Sequence, residues 1–260
     1  MDVKRSIMDV KGSIIIPVQV ISKEFYVFLR HLDFSLAAIN AQTVPCETIL
    51  VDYMSTPTYS KKLKKIAKGH GCTYVYTSRK DTKTFSRGRA INSGVPHATS
   101  DILFFIDSDC VIPPNYIETH YPLVTEKSAT FSPFIDSTSK IKKSGNWKHL
   151  RKQKGALTGL RPGSYSHMGV HRSWMEKHKG FNDAYVGWGG EDDDLMLRLK
   201  RSRTKIIRVP TYPIHLWHLT WQELMKKDGK DKIQRATLKA NRARYYRFKG
   251  QKVKKIKTDR

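Results

Sequence analysis

The chain has 260 residues, enough for one sizeable α/β domain or one domain with an extension, and a tight fit for two full domains. Its 48 Lys and Arg stand against 23 Asp and Glu, and the formal net charge of +25 favours a polyanionic partner: nucleic acid, an acidic glycan or an anionic membrane surface. Cys46, Cys72 and Cys110 are scattered and form no CxxC pair, which argues against a disulfide framework and a cysteine zinc site, and the N-terminal apolar run, cut at Pro17, is far too short to cross a membrane. These features predict a soluble protein with no cleaved signal and no transmembrane segment, in a bacterial or virus-infected host cytoplasm.

Ser13 to Val18 reads as a buried strand, and Lys23 to Gln42 sets Phe25, Phe28, Leu29, Leu32, Leu36 and Ile39 at helical spacing. Thr48 to Asp52 is a second strand, Tyr59 to Lys68 a basic amphipathic helix, and Cys72 to Thr77 a third strand. Arg87 to Ala98 follows as a helix and Asp101 to Asp107 as a fourth strand, apolar almost throughout. This alternation predicts the α/β class, with a mainly parallel central sheet and helices on both faces. Past Asp109 the alternation stops. Ala129 to Ile135, Ser164 to Val170 and Lys205 to Val209 read as strands, and Ser173 to Lys177 and Asp193 to Arg201 as helices. Lys140 to Gly163 is basic and Gly-interrupted, as in a loop or loose hairpin, and the basic stretch from about Gln222 reads as helices outside the core.

Open α/β sheets bind ligands at the carboxyl ends of their strands. Asp52 falls there, as does the pair Asp107-Ser108-Asp109, whose hard oxygen atoms suit a divalent cation. Beyond the last strand, "YPIHLWHLTW" offers His215 and His218; imidazole with carboxylate suits manganese or a related ion, and spacing does not decide between the two histidines. The segment "GWGGEDDD", Gly187 to Asp194, joins three glycines to four acids. The glycines allow a loop that opens and closes over a ligand, and Trp188 offers a flat face for a sugar or a base. Acids in the first turn of a helix are stabilised by its dipole, and a carboxylate placed there could also deprotonate an acceptor hydroxyl.

"GWGGEDDDLMLRL", preceded by "KGFNDAYV", closely resembles the signature of the β-1,4-galactosyltransferases and, more broadly, the catalytic half of the polypeptide N-acetylgalactosaminyltransferases and chondroitin-polymerase-like enzymes. "FSRGRAINSG" and "DSDCVIPP" resemble the galactosyltransferase stretches around the metal strand, and "SIIIPV" and "ILVDYMS" resemble the first strands of the GT-A (Rossmann-like) glycosyltransferase fold. The resemblance implies a catalytic domain over residues 1–221, with a nucleotide-binding half at about 13–110 and an acceptor half at about 111–221, followed by a basic helical extension over 222–260. It gives Pro17, Asp52 and Arg87 to the donor nucleotide and Asp107 to the ribose or the metal. It gives Asp109 and His218 to the metal, and sets His215 where galactosyltransferases use a methionine ligand. Trp188, Gly189 and Gly190 would line the sugar site. Asp192 would be the catalytic base, and Glu191 and Asp193 would hold donor or acceptor hydroxyls. The implied reaction is an inverting single displacement from a nucleotide sugar, UDP-linked, with Mn2+ or Mg2+ as cofactor. No galactosyltransferase disulfides and no membrane anchor are expected, and "VDYMS" lacks a second Asp often found there, so donor sugar and acceptor do not transfer from any one relative.

The basic residues cluster at Lys61 to Lys68, at Lys140 to Lys154 and from Asn241 to the end. This charge points to DNA carrying a hydroxymethylated pyrimidine as the acceptor, its target base extruded and its backbone tracked by the basic 140 to 163 loop and the C-terminal tail. A capsular, cell-wall or lipid-linked glycan at an anionic membrane is the alternative, and a non-catalytic nucleic-acid-binding module the third.

Overall fold

The computed structural model describes residues 10–79, 81, 84–138, 147–152, 157–161, 165–187, 189–219, 221–227 and 231–250. In chain order the elements are β1 (Ser13–Val18), α1 (Val27–Asn40), β2 (Glu47–Tyr53), α2 (Pro57–Gly69), β3 (Thr73–Thr77), α3 (Arg87–Gly94), β4 (Ile102–Phe105), β5 (Cys110–Val111), α4 (Tyr116–His120), β6 (Ser128–Phe131) and β7 (Phe134–Ser137). There follow α5 (Trp147–Lys152), β8 (Leu157–Arg161), β9 (Met168–His171), α6 (Arg172–Lys177), α7 (Glu191–Arg201), β10 (Lys205–Arg208), β11 (Ile214–His215), α8 (Trp221–Lys227) and α9 (Asp231–Gly250). Among the described residues the strands make a seven-stranded sheet, β10-β6-β9-β4-β1-β2-β3, and a four-stranded one, β5-β11-β7-β8.

The large sheet is parallel except at β9, which runs antiparallel to both β4 and β6. Its centre follows from side-chain alternation in strands that are apolar on both faces. Ile14 and Ile16 of β1 join one core with α1 and with Leu63 and Ala67 of α2, whereas Ile15 joins the opposite core with α3, α6 and α7. All three isoleucines are fully buried, each contributing about 2 kcal/mol of apolar burial. Helix α3 lies close on the sheet because Gly94 has no side chain; a Cβ there would meet Ile15 Cγ2 at 2.7 Å. Pro17 fits inside β1 because β4 pairs with β1 only as far as Ile15, so the missing N–H interrupts no ladder on that side.

The alternation over the first 105 residues is as expected, with boundary shifts where local chemistry intervenes. The first helix is preceded by a 3-10 turn, Lys23–Phe25, and α3 gives way to another, Val95–His97, at Pro96. The single strand expected over Ala129 to Ile135 is two. The chain leaves the large sheet after β6, Pro133 interrupts the ladder, and β7 enters the small sheet. The strand expected from Ser164 begins at Met168. Of the expected loop Lys140 to Gly163, the described parts are α5 and β8, which pairs antiparallel with β7; residues 140–146, 153–156, 162 and 163 lie outside the described residues. The C-terminal helices do reach the core: Leu224 of α8 is 1% exposed within the β1–α1 cluster, and α9 lies against α7. Among the described residues no helix is long and apolar enough to cross a membrane.

Candidate active site

The small sheet assembles the first group of candidate ligands. Antiparallel pairing sets His215 of β11 opposite Cys110 of β5, next to Asp109, and parallel pairing sets it opposite Asp136 of β7. His215 Nδ1 lies 3.0 Å from Asp136 Oδ1, which turns Nε2 toward Asp109 Oδ2, 3.5 Å away. His218 Nε2 reaches the same oxygen at 3.0 Å and lies 3.3 Å from His215 Nε2. The His218 ring is braced by Phe28 of α1, with centroids 5.0 Å apart. Asp136 is itself held by Arg161 of β8. One carboxylate and two imidazoles thus converge within 4.8 Å of one another, each ring oriented by a partner on its other nitrogen, as at cation sites. Burial opposes charge on both His215 and Asp109. Their mutual attraction prevails, holding His215 up at about 10 and Asp109 well below the usual carboxylate range.

Asp107 stands apart from this group. Arg87, at the start of α3, donates from Nε to Asp107 Oδ1 at 2.6 Å and from Nη2 to the Ser166 carbonyl at 2.5 Å. Its third nitrogen, Nη1, is buried with no protein partner. Asp107 also belongs to a second group, with Cys110 and His167, whose ligand atoms lie within 4.8 Å of one another, and His167 Nε2 is likewise buried with no protein partner. Cysteine spacing carries no hint of this mixed set.

The acids of the glycine segment open α7. Gly187, Gly189 and Gly190 have φ of 77°, 92° and 95°, a region closed to most side chains, and Gly190 turns the chain into the helix. Gly187 N donates to Phe85 O at 2.7 Å, which stitches the turn beside Arg87. Glu191 is buried and Asp192 and Asp193 half-buried. Burial pushes the Glu191 carboxyl up, and the Asp192 charge adds to it. Burial pushes Asp192 up against the pull of Arg87, and Asp193 rises to about 6 through burial and Asp192. Asp194 is structural: 1% exposed, it accepts from Arg198 Nε at 2.7 Å one turn on.

Of the other expected site residues, Trp188 lies outside the described residues. Asp52 is fully buried at the end of β2 and its carboxylate is already engaged. Oδ1 accepts from Ser55 N at 3.1 Å, and Oδ2 from Ser60 Oγ and Tyr74 OH, both at 2.6 Å. Pro17 is buried opposite Val51. The sequence reading missed Asp136 and Arg161; a lone acid inside the apolar run "FSPFIDS" was the available signal for the former.

Residues 13–138 match the family model described as glycosyltransferase like family 2, and residues 166–219 match the model described as the N-terminal domain of galactosyltransferase. Over 39 residues, 15% of this chain and 11% of the relative, the sequence is 51% identical to human β-1,4-galactosyltransferase 4. Among solved structures, S. aureus TarS 1–349 is similar with a TM-score of 0.55 at 14% identity, covering 83% of this chain and 63% of that one. A mannosyltransferase from Pyrobaculum calidifontis, in complex with GDP-Man and Mn2+, gives 0.55 at 15%, covering 86% and 62%. GalNAc-T7 with UDP, GalNAc and Mn2+ gives 0.56 at 17%, covering 80% and 43%. The chain therefore spans less than two thirds of each of these proteins, and at such identities the structural likeness speaks for the fold.

Proposed function

Because the chain carries a glycosyltransferase domain of the GT-A fold, we propose that it transfers a hexose, with inversion, from a UDP-linked donor to a hydroxyl acceptor, with Mn2+ or Mg2+. The observation that carries this reading is the convergence of Asp109, His215 and His218 in one cation-type group, with Arg87 held by Asp107 two residues before it and within electrostatic reach of Glu191 and Asp192. In this reading residues 13–110 hold the donor and residues 111–221 the acceptor and the base, with 222–260 as the basic extension.

Asp109, His215 and His218 would hold the cation, which supplies Lewis-acid charge to a leaving diphosphate. The buried Nη1 of Arg87 has a donor to offer, and a phosphate or ribose oxygen satisfies it. Asp107 keeps Arg87 in place and faces the ribose or the cation, while Pro17 and Asp52 flank the nucleoside. Gly189 and Gly190 let the backbone approach the sugar. Asp192 accepts the proton of the attacking hydroxyl, and burial makes it a stronger base than an exposed aspartate. Glu191 retains its proton more readily than an ordinary glutamate and so can donate to a sugar oxygen, and Asp193 orients a hydroxyl at the mouth of the site.

The net charge of +25 argues for a polyanionic acceptor, and we assign it to DNA carrying a hydroxymethylated pyrimidine, whose target base must leave the stack to reach Asp192. A transfer assay with Mn2+, a panel of nucleotide sugars and three acceptors tests this: hydroxymethylated duplex, unmodified duplex and a neutral oligosaccharide. The expected result is a hexose mass on the hydroxymethyl nucleoside alone. Sugar on the oligosaccharide alone would return the enzyme to glycan synthesis, and no transfer from any donor would overturn the reading.

A further inference from the structure

Helix α9 has two distinct faces. Leu238, Asn241, Tyr245 and Phe248, three or four residues apart, turn toward the catalytic body. Asn241 is 2% exposed and donates to the Val186 carbonyl; the Arg201 guanidinium of α7 lies 4.3 Å from the Phe248 ring centroid; and a Cβ on Gly189 would lie 3.5 Å from Leu238 Cδ1. The second face is a stripe: Lys232, Arg235, Lys239, Arg242, Tyr246 and Lys249 follow one another at intervals of three and four residues, and all six are exposed, Tyr246 by 66%. Beyond Asp231 this helix carries no acid.

At 1.5 Å per residue the stripe is about 26 Å long. One DNA strand presents a phosphate every ~3.4 Å along the axis while winding around it, so a straight basic row of this length lies against a few successive phosphates. The row also has a direction. Leu238 and Asn241 sit at the glycine turn, whereas its Lys249 end lies against Arg201, the last residue of α7, whose guanidinium donates to the Phe248 and Lys249 carbonyls. A membrane is a poorer match. An interfacial helix needs an apolar face to bury in lipid, and the apolar face of α9 is spent on α7 and the glycine turn.

We propose that this stripe is the docking face for the phosphate backbone of duplex DNA. The inference rests on the DNA-acceptor reading and adds the surface and orientation through which the duplex is held. Duplex binding, followed by fluorescence anisotropy against salt concentration, tests it. Each phosphate contact contributes about 0.9 to the slope of log K against log salt. The variant Lys232→Gln, Arg235→Gln, Lys239→Gln, Arg242→Gln is therefore expected to lose about 3 to 4 from the slope with its unfolding midpoint unchanged. Lys61→Gln, Lys64→Gln, Lys65→Gln on α2 removes charge from another exposed helix and is expected to keep the wild-type slope.

Wild-type duplex binding with an unchanged slope in the stripe variant would overturn the docking face and leave the DNA reading intact. Equal losses in the α2 and α9 variants would reduce the stripe to general surface charge, which also overturns it. A wild-type protein that sediments with phosphatidylserine vesicles and ignores duplex at low salt would overturn both.

Discussion

Asn241 donates its side-chain amide to the backbone carbonyl of Val186, 2.9 Å away, and so fastens the C-terminal helix to the turn that leads into the acidic helix. Gly187 is held from the opposite side by Phe85 O, so Val186 and Gly187 lie between the start of α3 and α9. Asn241→Ala leaves the Val186 carbonyl without this donor, and losing a buried bond of this kind costs about 1–3 kcal/mol. The expected outcome is a lower unfolding midpoint with faster amide exchange at Gly189 and Gly190. Wild-type exchange at both glycines would show that α9 does not hold the turn.

Asp192→Asn preserves shape and removes the base. A positioned general base contributes about 10²–10⁴-fold, so turnover should fall by that factor, whereas calorimetric binding of donor with Mn2+ should stay near wild type. Near wild-type turnover would assign the proton to another group, with Glu191 next in line. Loss of donor binding would instead place Asp192 on the donor.

The first half of the fold was legible because its strands and helices alternate and its apolar residues repeat at two distinct periods: Ile14 to Ile16 as a strand, Phe28 to Ile39 as a helix. The small sheet was not legible. β5 and β11 have two residues each, too few for any period, and their pairing brings together Cys110 and His215 from positions more than a hundred residues apart. The same limit explains the site. The residue types at Asp109, His215 and His218 pointed to a cation, whereas Asp136, which orients His215, is a single polar residue in an apolar strand and gains meaning only through register. The alternation of exposure along α9 depends on where α7 lies, and net charge alone does not place it.

Asp136 offers a test of the cation site that leaves its ligands in place. Removing a group that orients a ligating histidine typically weakens metal affinity by about 10–100-fold. Asp136→Asn keeps a group near His215 Nδ1 and removes the carboxylate, so the Mn2+ concentration for half-maximal transfer should rise within that range while maximal turnover is recovered at high Mn2+. Asp109→Ala and His218→Ala should abolish Mn2+ stimulation. Full activity of the wild-type protein in chelator would eliminate the metal from the mechanism.

His120 supplies a prediction about stability that is independent of donor and acceptor. It is fully buried at the end of α4, with Nδ1 2.8 Å from Thr130 Oγ1 and Nε2 2.9 Å from Ser132 Oγ. Burial, with a smaller contribution from His167, lowers its pKa from 6.5 to about 3. Between those values the unfolded chain binds a proton that the folded chain refuses, so stability present above pH 6.5 is lost as pH falls. At about 1.36 kcal/mol per pH unit, the loss from this residue is about 2 kcal/mol by pH 5. His120→Gln removes the titration. The variant should be less stable than wild type at pH 7.5, and the gap should narrow by about that amount at pH 5, as read from urea unfolding midpoints; a constant gap would mean that the imidazole is protonated in the folded protein.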